Sequence, residues 1–178
     1  MLRSALRFII AAAVALAVWW YGTPAYDAML ARAATVLHFD RRFADVQIVP
    51  AGRAIEVRDG VPPLSIPADQ LTYNFILLAG LFAMNRNLRQ FILCAVILAI
   101  THWLAFVCSV ESSYAQRFGD WSAAHYGDAE RYVWALLEYF YRLVGMFGIA
   151  FACWWVTAKQ SAPAAGRRRG SRKRPGRK

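Results

Sequence analysis

Asn74, His102, Glu138 and Arg142 stand inside otherwise apolar stretches of the chain. Ionisable groups in such stretches are expensive in a bilayer, so they face protein or water. There they serve either as bonds between helices or as a path for a proton or a substrate. Glu138 and Arg142 are four residues apart, hence on one helical face, with the acid toward the N-terminus, the favourable order. His102 and Glu138 each fall ~10 Å from the outer end of their apolar run. If those helices are neighbours, His102 can bond Glu138, and Asn74 can join the same layer. The spacing favours helix–helix bonding over a proton or substrate site, because contacts of this kind hold membrane helices together by ~0.6–2 kcal/mol each. Cys108 is the weakest chemical candidate, as a transpeptidase-like nucleophile. A thiol needs a nearby base or cation to form the thiolate. His102 lies six residues back on a different helical face, and Arg142 lies deeper. No HExxH, CxxC or Walker A sequence is present, and His38, His102 and His125 have no ligand spacing. The expectation is a protein that is not an enzyme, with no metal and no cofactor.

The elements that must position these residues follow from composition. The 178 residues are 58% hydrophobic and 15% aromatic, only 18% are charged, and the formal net charge is +10. A soluble domain carries about a quarter charged residues. The balance excludes an ordinary soluble enzyme domain and excludes disorder over most of the length. Four apolar runs stand out: Leu6–Tyr21, Leu71–Met84, Phe91–Val110 and Tyr132–Thr157. A membrane helix needs about 20 such residues. The first run ends in Trp19, Trp20 and Tyr21, rings suited to an interfacial belt, so it reads as an anchor and not as a cleaved signal peptide. The second spans only ~21 Å at 1.5 Å per residue, short for a crossing. A six-residue turn, 85–90, joins it to the third as an antiparallel neighbour.

Charge then chooses the orientation. With both termini and the 85–90 turn cytoplasmic, the inner segments hold thirteen basic and no acidic residues. The outer segments, 22–70 and 111–131, hold seven basic and ten acidic residues. This is a positive-inside pattern. Within 23–70, Tyr26, Met29, Leu30, Ala33, Ala34 and Leu37 recur at helical spacing. Val46–Val49 and Ala54–Arg58 alternate as two strands around the turn Pro50-Ala51-Gly52-Arg53. Val61–Pro67 reads as a stiff extended lead into the second span. The aromatic residues of 111–131 read as rings resting at headgroup depth. Cys94 and Cys153 read as buried small hydrophobes.

The fold class expected is mainly α. It is a four-helix transmembrane bundle with a small extracytoplasmic α/β-hairpin segment and a disordered basic C-terminal tail. The segments are an anchor at 1–22, the outer segment at 23–70, three transmembrane helices with their connections at 71–157, and the tail at 158–178. In the tail Arg167, Arg168, Arg169, Arg172, Lys173 and Arg174 are expected to meet anionic lipid headgroups or a partner. No aromatic is interleaved there, so base stacking has no support and nucleic acid ranks last.

This layout resembles the small integral membrane proteins associated with exosortases in bacterial envelope protein sorting. The resemblance rests on the anchor, the short strand-bearing outer segment and the Pro-containing lead into Leu71-Thr72-Tyr73-Asn74-Phe75, continuing Leu77-Leu78-Ala79. A basic turn and two further spans complete it. It implies an accessory position beside a sorting enzyme, multi-pass in the bacterial inner membrane, with other integral membrane proteins as partners and no catalytic residues. A small transporter or membrane enzyme using Glu138, Arg142 and His102 is the first alternative. An insertion or tethering factor using the basic tail is the second.

Overall fold

A computed structural model describes residues 2–85 and 87–161. Helix α1 spans Leu2–Ala33. Its first half is rich in alanine and other apolar helix formers, and a helix satisfies every backbone group internally, as lipid demands. The expected end of the anchor at Gly22 is not a break, because α1 runs on through Pro24. Proline lacks an N–H, so the Trp20 carbonyl, four residues earlier, loses its helical donor. Arg53 Nη2 donates to that carbonyl at 3.3 Å. The guanidinium also lies on the Trp20 ring, its Cζ 3.3 Å from the centroid. A distant side chain thus satisfies the acceptor that the proline leaves open.

Two 3-10 turns, Ala34–Phe39 and Arg41–Phe43, lead into a three-stranded antiparallel sheet of order β1-β2-β3. The strands are β1 (Gln47–Ala51), β2 (Ala54–Arg58) and β3 (Leu64–Ile66). The β1–β2 connection is the two-residue turn Gly52-Arg53, closed by the pair Ala51↔Ala54. Gly52 has φ +68°, the positive value such a turn requires. That turn aims Arg53 back at α1. In β2, Ile55 and Val57 point inward and pair with Ile66 and Leu64 of β3. The expected extended lead therefore contributes a third strand. Its Leu64-Ser65-Ile66 alternation gives it one apolar face.

A short α2 (Asp69–Thr72) precedes α3 (Asn74–Asn85). The long α4 spans Leu88–Arg117, with Asn87 as its N-cap accepting from the Gln90 N–H. Then come α5 (Asp120–His125), α6 (Asp128–Phe140), a π turn (Tyr141–Gly145) and α7 (Met146–Ser161). Among the described residues three stretches are long and apolar enough to cross a membrane by length and composition: Arg3–His38, Leu88–Arg117 and Asp128–Thr157. The element read as the second span is not among them, since twelve helical residues of α3 rise only ~18 Å.

Pairings along the helices give their directions. Phe8 of α1 packs on Gly80 of α3 while Trp19 bonds Thr72 of α2, so α1 runs antiparallel to the consecutive α2 and α3. Phe82 meets Phe91 while Asn74 meets His102, so α3 and α4 are antiparallel too. Two apolar clusters hold the fold. The larger joins α1, the sheet and the second half of α4 through Leu30, Phe43, Ile55, Leu71, Phe106 and Tyr114. The smaller joins Leu78 and Phe82 of α3 to Cys94 and Leu98 of α4 and Ala150 of α7.

Two expectations change at this level. Of the residues expected on one apolar face, Leu30, Ala34 and Leu37 are buried, whereas Met29, 55% exposed, and Ala33 are not, and Thr23, Asp27 and Ala31 are buried beside them. Of the rings of 111–131, two belong to the larger cluster, two pack against it, and His125 stays exposed. Tyr114 is wholly buried, Tyr126 is buried, and Phe118 and Trp121 pack against them. The cause is that α4 continues seven residues past Val110, carrying Tyr114 under the sheet.

Candidate functional site

A buried polar group is centred on His102, which is 2% exposed. Its Nδ1 lies 2.8 Å from the Tyr26 hydroxyl and its Nε2 lies 2.7 Å from Asn74 Oδ1. Asn74 Nδ2 donates to the Met146 carbonyl at 2.9 Å. The proton positions follow by elimination. A carbonyl only accepts, so the Asn74 amide must face Met146 and its Oδ1 must accept from His102 Nε2–H. A neutral ring then offers Nδ1 as acceptor, and Tyr26 donates to it. One directed chain of bonds thus ties α1, α4, α3 and α7 at a single level. Tyr141 adds a bond to the Leu71 carbonyl at 3.0 Å.

The structure brings Asn74 and His102 together, but it does not bring Glu138 to them. Glu138 Oε1 instead accepts from Arg142 Nε at 3.0 Å and Nη2 at 2.8 Å on its own helix. The conditional His102–Glu138 bond is therefore corrected. The reason lies in level: Glu138 lies beside Ser112 and Gln116, ten and fourteen residues along α4 from His102, which is ~15 Å or more along the helix. Arg131 bonds the Ala115 carbonyl and Tyr126 bonds Glu111, so α6 starts beside the C-terminal end of α4 and runs back along it. Glu138 and Arg142 consequently line a groove of about 240 Å³ with Ser112, Gln116, Arg117 and Tyr139. The Arg142 side chain is 38% exposed and that of Glu138 14%.

At the sheet-bearing pole lies an ion network that the sequence reading passed over. Arg42 pairs with Asp40 at 2.5 Å and with Glu130 at 2.8 Å, and Glu111 lies 3.9 Å away. Its Cζ sits 4.2 Å from the centroid of the Tyr126 ring, and the Tyr126 hydroxyl donates to Glu111 at 2.7 Å. Burial opposes the Arg42 charge, but hydrogen bonds to Asp40 and Glu130 outweigh it, so its pKa is raised. The side-chain hydrogen bond from Arg42 holds the Asp40 carboxyl below the usual carboxylate range. Burial, with the neighbouring Glu111, pushes the Tyr126 phenol up. Asp40-Arg41-Arg42 reads locally as a polar break, and its partners arrive from about 70 to 90 residues away.

Asp27 is fully buried, and neither carboxylate oxygen has a hydrogen-bond partner. The signal that could have singled it out is an acid on the spacing Thr23, Asp27, Leu30, Ala34. Cys108 is a free thiol of intermediate burial, Cys94 is buried, and Cys153 packs against the same cluster as Cys94. The tail residues Arg167, Arg168, Arg169, Arg172, Lys173 and Arg174 lie outside the described residues. Among the described residues no three His, Cys, Asp or Glu side chains gather as a metal-binding group. A cavity of about 190 Å³ opens between α1, α2, α3 and α4, lined by Trp19, Tyr26, Phe75 and His102 among others.

No protein-family model, curated protein or solved structure matches the chain.

Proposed function

We propose that the chain is an accessory protein that holds another integral membrane protein against α6 and α7. The partner that the layout points to is an exosortase-type sorting enzyme of the bacterial inner membrane. In this reading both termini are cytoplasmic, α2–α3 makes a short fourth crossing, and the sheet lies outside.

The observation that carries the reading is the placement of Glu138 and Arg142. Helix α6 has no buried residue. Its Leu136 is 70% exposed, and Leu143 of the π turn is 74% exposed. An ion pair left partly bare among such residues is poorly matched to lipid, which excludes charge. A second protein's helices would cover it and supply polar partners. His102, by contrast, is already bonded at both nitrogens within the fold, which supports a cohesive use and not a transport path. The segregation of charge between the proposed inner and outer segments supports the orientation.

The test is purification of the full chain in mild detergent at native expression, with its companions identified. A multi-spanning sorting enzyme is expected in the complex and is expected to be lost from Arg142→Leu. Recovery of the chain alone, in a folded state, contradicts the proposal.

A further inference from the structure

The cavity between α1, α2, α3 and α4 has walls whose polar groups are already engaged. Trp19 Nε1 donates to Thr72 Oγ1 at 3.1 Å. Thr23 Oγ1 donates to the Trp19 carbonyl. Tyr26 and His102 bond one another at 2.8 Å. What remains facing the space is carbon: Val18, Gly22, Phe75 and the ring faces of Trp19 and Tyr26. Such a lining has nothing to offer a polar ligand but fits a hydrocarbon chain. At about 190 Å³ the space is smaller than the ~300–1,000 Å³ of a drug-sized pocket, so it takes part of one chain. Val18 is 61% exposed, so the cavity is reached from the side of α1 that would face lipid.

A held cation stands beside the wall residue Trp19. Arg53 Cζ lies 5.9 Å from the ring of Trp19, a wall residue, and 3.3 Å from that of Trp20. The turn Gly52-Arg53 and the Trp20 carbonyl hold the guanidinium there. It spends one of five donors on that carbonyl. Among the described residues no ion pair within 4.0 Å includes it, although its charge also acts on the buried Asp27. An apolar slot with a held arginine next to one of its walls is complementary to a lipid with a phosphate head.

We propose that this cavity binds one acyl chain of an anionic phospholipid, with the lipid phosphate on Arg53. The site is independent of the protein-docking face on α6. Its test is quantification of lipid retained by the full chain after exchange into detergent, then rebinding from nanodiscs of phosphatidylglycerol, phosphatidylcholine or a polyprenyl phosphate in a neutral carrier lipid. About one phosphatidylglycerol per chain is expected, with at least tenfold preference over phosphatidylcholine. Arg53→Gln, which keeps a donor for the Trp20 carbonyl, is expected to remove that preference. Gly22→Leu is expected to fill the slot and abolish retention, since nothing lies within 4 Å of a Cβ built at Gly22. Val18→Phe blocks the mouth and serves if Gly22→Leu fails to fold. Equal retention of both phospholipids, retention of the polyprenyl phosphate alone, or undiminished binding by a folded cavity-filling variant overturns the proposal.

Discussion

Arg53 donates a hydrogen bond to the Trp20 carbonyl, the one backbone acceptor in α1 that Pro24 deprives of its helical donor. The contact explains how a proline is carried inside a 32-residue helix and why the first strand pair turns back onto that helix. If the explanation holds, the two residues are coupled. Arg53→Ala is expected to lower stability by about 0.5–1.5 kcal/mol, the net worth of a hydrogen bond. In a Pro24→Ala background, where the backbone N–H returns, the same change is expected to cost less than half as much. A double-mutant cycle in thermal unfolding checks this, and additive effects would dissociate the two residues.

The His102 chain makes a second demand. Tyr26→Phe removes the donor to Nδ1 and leaves a buried ring nitrogen bare. The expected loss is about 1–2 kcal/mol, within the range of interhelical polar contacts. Asn74→Leu breaks two bonds at once and is expected to cost more. Unfolding midpoints of both variants in one detergent decide the order. Equal midpoints for wild type and both variants would remove the chain of bonds from the account of cohesion.

Gly80 sets the approach of α1 to α3. A Cβ at that position would stand 2.7 Å from Phe8 Cε2. Alanine gains about 1 kcal/mol in helix propensity, but overpacking costs about 1–3 kcal/mol. Gly80→Ala is therefore expected to destabilise the wild type and to stabilise a Phe8→Ala background. The reversal of sign in thermal unfolding is the observable.

Much of this architecture was legible in the sequence, and the failures have physical causes. The apolar runs announced the long helices, and alternation around Pro50–Arg53 announced the hairpin, because both signals are local periodicities. Asn74 and His102 stood out as polar residues in apolar runs. The continuation of α1 did not, since the donor that rescues its proline comes from residue 53. The Arg42 network did not, because each of its charges looks like an ordinary surface charge until Glu111 and Glu130 are brought to it. The separation of Glu138 from His102 turned on the level at which α6 meets α4, a long-range relationship that local hydropathy does not carry.

Acid should loosen the sheet-bearing pole through Asp40. Its carboxyl is held below the usual range by the Arg42 hydrogen bonds. A depressed folded-state pKa contributes stability that is fully present above the unfolded value of about 3.9 and is lost as pH falls through the folded value. The side chain is 31% exposed, so the effect is modest, about 1 kcal/mol or less. Glu111, Glu130, Tyr126 and Arg42 face the same point, so the comparison must be with Asp40→Asn. The variant is expected to be less stable at pH 7 and to lose less stability between about pH 4 and pH 2. Identical acid dependence in urea titrations would place the network's pH response elsewhere.

The claim that α6 is covered by another membrane protein has a direct measurement. A photo-activated amino acid is placed at Leu136 or Leu143 of the full chain in native membranes, and at Ile9 of α1 as a lipid-facing control. The expected result is a discrete adduct to a multi-spanning membrane protein from Leu136 and Leu143, none from Ile9, and loss of the adduct in Arg142→Leu. Adducts to lipid alone from all three positions would contradict the claim.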